Sequence, residues 1–153
     1  MKYLREGDLE GAEEYRRVML REAAKSDDEL FERDGSLHLF YVTQTMSWDL
    51  MHSCPVFSDE DRLTISRYLL KVLRSKEGYG FTGMRKGMHN RENHATRAAR
   101  AFYFGWRHFS RFYSELLPVE LPLWRMKLRD FWAAPFGSFR PFEDSLSQHA
   151  LGG

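Results

Sequence analysis

The residues with the most chemical potential lie in one stretch, Asn90-Arg91-Glu92-Asn93-His94-Ala95-Thr96-Arg97, where a glycine-rich run meets the start of a helix. Backbone N–H groups in the first turn of a helix have no intrahelical partner, so a ligand can take them up. Asn93 and Arg97 are four apart and share a face, which Arg100 continues, while His94 points about 100° away from Asn93. An amide, an imidazole and a guanidinium grouped in this way could bind an anionic group and move a proton beside it. The simpler reading is that Asn90 or Asn93 caps the helix and His94 packs.

The surrounding charge favours an anion. Arg85, Lys86, Arg91, Arg97, Arg100, Arg107 and Arg111 stand against one acid, Glu92, with His89, His94 and His108 among them. The formal net charge of the chain is only +1, so this is a local basic region and not a global polycation. It suits a phosphate, a nucleic acid or a uronic acid. The alternative is a solvated helix face with scattered ion pairs. His89 and His94 are five apart across a loop-to-helix change, with no His-Glu-x-x-His pattern and no cysteine pair. No metal is expected from that spacing. No phosphate-loop, dinucleotide-binding or Gly-x-Ser-x-Gly motif occurs, and no cofactor is expected.

Five helices must position these groups. The first is expected over about residues 8–24, with Leu9, Ala12, Val18, Met19 and Ala23 on its apolar stripe. The second spans about 36–52 and is apolar around much of its circumference, so it lies between neighbours. Cys54-Pro55 ends it, because the residue before proline leaves the α region. Ser58 then caps a third helix to about residue 75, with Asp59, Glu60 and Asp61 in its first turn and Leu63, Ile65, Tyr68, Leu69, Val72 and Leu73 on its buried side. Residues 77–90 read as a loop punctuated by Gly78, Gly80, Gly83 and Gly87, of the length that often carries function. The fourth helix runs over about 91–113 and the fifth over about 121–133. A loop over 135–149 follows, in which a further helix could start near Glu143.

No segment alternates like a strand, and the fold class is all-α, built from antiparallel helix pairs. The 153 residues suit a single helical domain or a fragment of a larger one. The 12 Phe, 7 Tyr and 4 Trp supply a real core. Phe102, Tyr103, Trp106, Phe109, Phe112 and Tyr113 are expected mostly in that core, with some free to line a sugar groove. The lone Cys54 cannot form an internal disulfide and is expected to be buried. The N-terminus is charged and unlike a signal peptide, and no stretch is apolar for the ~20 residues that a membrane span needs. The end, SQHALGG, reads as interior sequence, so a longer parent chain is expected.

Asn93-His94-Ala95-Thr96-Arg97, followed by Ala98-Ala99-Arg100-Ala101-Phe102-Tyr103-Phe104, resembles the Asn-His stretch of the (α/α) toroid polysaccharide lyases of the heparinase II/III-like and alginate lyase group. Trp48-Asp49-Leu50, the run from Pro55 to Asp61 and the run from Ser138 to Ser145 resemble helix-pair linkers of the same group. The resemblance covers about residues 36–149 and implies an incomplete toroid, with further helices or domains of a longer chain as its partners. It implies a lyase that acts on an acidic polysaccharide by β-elimination, needs no cofactor, and is secreted or periplasmic. By the motif, Asn93 takes the uronic carboxylate, and His94 joins it there or acts as base. Tyr103 and Tyr79 are candidates for the family's catalytic tyrosine, by sequence proximity. Arg97, His89, Arg91, Glu143 and His149 are candidate substrate contacts. Two other readings stay open. One is a glycoside hydrolase toroid piece. The other is a non-catalytic helical module binding an anionic glycan, nucleic acid or protein.

Overall fold

The computed structural model describes residues 6–26, 29, 37–74 and 93–133, and side chains at 37–42, 93–98 and 133 fall outside that set. Among the described residues there are five α-helices: α1 (Leu9–Ala23), α2 (Leu37–Met51), α3 (Asp59–Arg74), α4 (Asn93–Phe112) and α5 (Glu120–Ala133). A short 3-10 turn, Ser114–Leu116, joins the last two. Among the described residues there is no strand, and no helix is long and apolar enough to cross a membrane.

Local chemistry fixes the helix ends. The Asp8 carboxylate caps α1 by accepting the Gly11 N–H at 3.0 Å. At the head of α3 the Ser58 hydroxyl accepts the Asp61 N–H at 3.1 Å, and the Asp61 carboxylate accepts the Ser58 N–H at 2.8 Å. This is a reciprocal capping box with Asp in the place usually held by Glu. The end of α2 is closed from outside. Arg62 donates to the carbonyl of His52 at 2.9 Å and to that of Cys54 at 3.3 Å, the latter also accepting the Phe57 N–H of the turn after Pro55 at 3.3 Å. Pro122 falls in the first turn of α5, where its missing N–H costs nothing.

Residue pairings give the helix directions. Gln44 meets Tyr68, Trp48 meets Ser66, and the end of α2 meets Arg62, so α2 and α3 run antiparallel. Ser66 meets His108, and Leu73 lies against Gly105, so α3 and α4 are antiparallel as well. Two reversals make α2 and α4 parallel, as the pairs Asp49–Arg107 and His52–Phe112 require. The backbones of α2 and α4 approach along much of their length, and α4 also touches α3 and α5. It is therefore the hub of the described structure.

Two apolar clusters form the core. One joins Ala12 and Met19 of α1, Trp48 and Met51 of α2, and Ile65, Leu69 and Val72 of α3, with Cys54 and Phe57 from the connecting turn. The other joins Leu73 with Phe102 and Phe109 of α4 and Trp124, Leu128 and Phe131 of α5. Cys54 is buried, as its small apolar side chain suggests. Two apolar assignments need correction. Leu9 and Leu63 are exposed: Leu9 is the first residue of α1, and Leu63 lies two residues, about 160° around the helix, from the buried Ile65; Tyr15 and Leu20 pack against the core from α1. Arg16 of α1 reaches across to Asp61 with Nε–Oδ2 at 2.8 Å. That contact and the capping bonds from Ser58 hold the Asp61 carboxyl down to about 2.

Candidate functional site

The helix that opens with Asn93 is α4, so the Asn93-His94 stretch does stand at a helix N-terminus. The side chains of Asn93, His94 and Arg97 lie outside the described residues, as do Tyr79, His89, Arg91, Glu143 and His149 entirely. Of the predicted site residues, Tyr103 alone is described to its side chain, and it is 39 % exposed. Residues 93 and 103 are separated by ten helical steps, an axial rise of about 15 Å, and residues 94 and 103 fall on opposite faces. One helix cannot present Tyr103 and the Asn93-His94 pair to the same atom.

Around Tyr103 a basic flank is well formed. Arg100, Arg107 and Arg111 fall within a narrow sector of α4, at offsets of seven and four residues. Arg100 and Arg111 are exposed. Arg107 is anchored at its inner edge by Asp49 of α2, with Nε–Oδ2 at 2.6 Å and a second contact from the same guanidinium. Its guanidinium also lies over the Phe104 ring at 5.1 Å and near the Tyr103 ring at 6.0 Å. Asp49 is almost fully buried, and its other oxygen has no hydrogen-bond partner among the described residues. The hydrogen bond and charge of Asp49 hold Arg107 protonated. Asp49 thus fixes a cation at the surface without exposing a competing acid.

A second polar cluster is internal, and sequence reading missed it. Ser66 Oγ accepts the Trp48 indole N–H at 3.2 Å and lies 3.1 Å from His108 Nε2 and 3.3 Å from the Tyr113 hydroxyl. The Tyr113 hydroxyl lies 3.2 Å from His52 Nε2. Only two proton orders satisfy all four contacts, one running each way along the chain. If Ser66 donated to His108, the buried His108 Nδ1 would carry a proton with no acceptor, since that atom has no partner among the described residues. Orphaned buried donors are rarer than bare acceptors. The proton order is therefore His108 Nε2–H to Ser66, Ser66 to Tyr113, and Tyr113 to His52.

The two imidazoles sit 5.0 Å apart by ring centroid, and His52 stacks on Phe112 at 3.9 Å. Burial, then the Arg62 and Arg111 cations, push His52 down to about 4 despite the opposing Asp49 charge. Burial, then His52 and Arg111, push His108 down to about 3. Both are neutral at ordinary pH. His108, counted in sequence as part of the basic region, is a core residue without charge. The Ser66–His108 pair has the spacing of a nucleophile and its base, but no carboxylate orients Nδ1 and the hydroxyl is sealed from solvent. It is a structural network. The sequence signal that could have found it was Trp48 and His108 on the inward sides of α2 and α4, with the polar aromatics His52 and Tyr113 one residue past the ends of the same helices.

The later aromatics divide. Phe102 and Phe109 are core, as are Trp124 and Phe131, whereas Trp106, Phe112 and Tyr113 are half-buried and Trp132 is exposed. Among the described residues no group of three His, Cys, Asp or Glu could hold a metal ion. Comparison with protein-family models, with curated proteins and with solved structures finds no match to this chain.

Proposed function

We propose that this chain is a segment of an (α/α) toroid polysaccharide lyase that cleaves a uronic-acid-containing glycan by β-elimination. The observation that carries the reading is the flank Arg100–Arg107–Arg111, on the same helix that Asn93 opens. An acidic polymer lying along α4 would meet cations beyond the point where its reacting sugar meets Asn93 and His94. The up-down-up course of α2, α3 and α4 is also what a wall of repeated helix pairs requires.

In the reaction, Asn93 and the N-terminal N–H groups of α4 neutralise the uronic carboxylate and so acidify C5–H. His94, or a tyrosine from another element, removes that proton. The C5–H electron pair becomes the C4–C5 double bond, the C4–O bond breaks, and the departing oxygen takes up a proton. Arg97 and Arg100 would carry the adjoining negative charge. Tyr103, about 15 Å along the axis from Asn93, serves a neighbouring sugar on this reading.

The unsaturated product absorbs in the ultraviolet, which gives the test. Alginate, heparan, chondroitin and pectin-like polymers are incubated with the chain and with the Asn93→Ala/His94→Ala variant. A rise that only the unchanged chain produces is expected. Reducing ends without absorbance would indicate hydrolysis instead and sink the proposal.

A second reading is binding without elimination. It is favoured by the helical separation of Tyr103 from Asn93, which leaves α4 without a base opposite the pair. Salt-sensitive retention on an acidic polymer, with no absorbance change on any of the four, would select it.

A further inference from the structure

A groove of about 580 Å³ runs between α4 and α5. Trp106 and Ser110 line it from α4, and Pro122, Arg125, Met126 and Arg129 from α5. Its wall is mixed: an aromatic ring and apolar side chains, one hydroxyl, two guanidiniums and no acid. Arg125 and Arg129 are four apart on one helix, so their bases stand about 6 Å from each other along it. Arg125 has no ion pair among the described residues, and Arg129 has only its chain neighbour Asp130 at 3.6 Å, in solvent.

The groove is continuous with the basic flank of α4. The Tyr103 and Trp106 rings stand 6.2 Å apart by centroid. Tyr103 belongs to the ridge beside Arg107, and Trp106 belongs to the wall of the groove. The exposed ridge of α4 is thus an aromatic strip with arginines on both sides: Arg100, Arg107 and Arg111 towards α2, and Arg125 and Arg129 across the groove on α5.

We infer that the α4–α5 groove is a second subsite for an acidic sugar, in which Arg125 and Arg129 take the carboxylate and Trp106 takes the ring. A sugar acid fits this wall on two counts. Its C–H face is apolar and matches Trp106 and Met126, while its carboxylate accepts paired N–H donors from guanidinium. Ser110 supplies a hydrogen bond for a ring hydroxyl. A neutral sugar would leave both cations unused. The inference rests on the acidic-glycan part of the proposed function and not on elimination.

The test is calorimetric titration of galacturonate, mannuronate and glucuronate oligomers into three proteins: the unchanged chain, Arg125→Ala/Arg129→Ala, and Arg100→Ala/Arg111→Ala. All four arginines are exposed, and matching circular dichroism melts confirm that each variant folds. A neutral oligosaccharide and a single-stranded oligothymidylate are run in parallel at the same salt. At least one acidic oligomer is expected to bind, and to lose roughly tenfold in affinity in the Arg125/Arg129 variant. The neutral oligomer is not expected to bind. Equal affinity in the unchanged chain and that variant overturns the subsite, as does failure of every acidic oligomer to bind. Tighter binding of oligothymidylate with the same arginine dependence also overturns it, and gives the groove to nucleic acid. Absorbance followed in the same samples separates the two readings. Groove-dependent binding without absorbance keeps the subsite and removes the lyase, whereas absorbance without groove dependence does the opposite.

Discussion

Ser66 is the atom-level junction of the molecule. Its hydroxyl takes the Trp48 and His108 donors and passes its own proton to Tyr113, so α2, α3 and the end of α4 share one hydrogen-bonded chain. Ser66→Ala leaves the buried Trp48 and His108 donors without a partner and takes one of two partners from the half-buried Tyr113, whereas Tyr113→Phe breaks the links to Ser66 and His52 but leaves Ser66 paired to Trp48 and His108. Each unsatisfied buried group costs about 1–3 kcal/mol. Ser66→Ala is therefore expected to destabilise the fold more than Tyr113→Phe, as read by urea midpoints. The reverse order would mean that the chain of hydrogen bonds is not formed. The histidines add a pH dependence. An imidazole in the unfolded chain takes its proton near 6.5, but in the fold His52 and His108 resist until about 4 and about 3. Between those values the unfolded state binds more protons, so stability is full above about pH 6.5 and falls as the pH drops from there. Melting temperature should decline from pH 6.5 towards 4, and His52→Gln/His108→Gln should flatten that decline. An unchanged slope in the variant would assign the acid sensitivity elsewhere.

At the scale of elements, α4 decides the architecture through one small residue. A Cβ built on Gly105 would stand 2.4 Å from Leu73 Cδ1, and Leu73 is buried in the second core cluster. Glycine is what lets α3 and α4 approach. Overpacking costs about 1–3 kcal/mol, against the roughly 1 kcal/mol of helix propensity that alanine returns. Gly105→Ala should therefore lose stability modestly and Gly105→Val markedly, although both are better helix formers than glycine. Equal or higher melting temperatures would show that Leu73 moves aside freely. The head of α3 gives a second test. Asp61 holds the Ser58 N–H and Arg16 together, and its carboxyl sits at about 2 in the fold. Because an unpaired Asp titrates near 3.8, this contribution is present above that value and is lost as the pH falls from 3.8 towards 2. Asp61→Asn should remove the acid step in that window while leaving the higher histidine step in place.

At the scale of the whole molecule, charge segregation matters more than net charge. The +1 total conceals arginines grouped along α4 and α5, with Asp49 drawn inward to hold Arg107. Binding to any acidic polymer should weaken steeply between low and physiological salt, because surface charges more than about 8–10 Å apart are screened there. Retention on an acidic-polymer column over a salt gradient measures this. Retention that ignores salt would point to an apolar contact surface instead. Removing Asp49 by Asp49→Asn should loosen Arg107, and should reduce retention less than Arg107→Ala does.

The sequence by itself determined the helices. Their periodicity, the cap at Ser58, the stop at Cys54-Pro55 and the isolation of the basic residues in one stretch are all local properties, read within a few residues of where they act. The burial of Cys54, Phe102 and Phe109 follows in the same way. What only the tertiary structure decided are relations between distant residues: Arg16 with Asp61, Asp49 with Arg107, and His52 with His108 through Tyr113 and Ser66. Each joins positions 42 to 61 residues apart, and no periodicity encodes which side chain a neighbouring helix will offer. For that reason His108 could be counted with the cations of its own helix, when burial against α2 and α3 had taken its charge away.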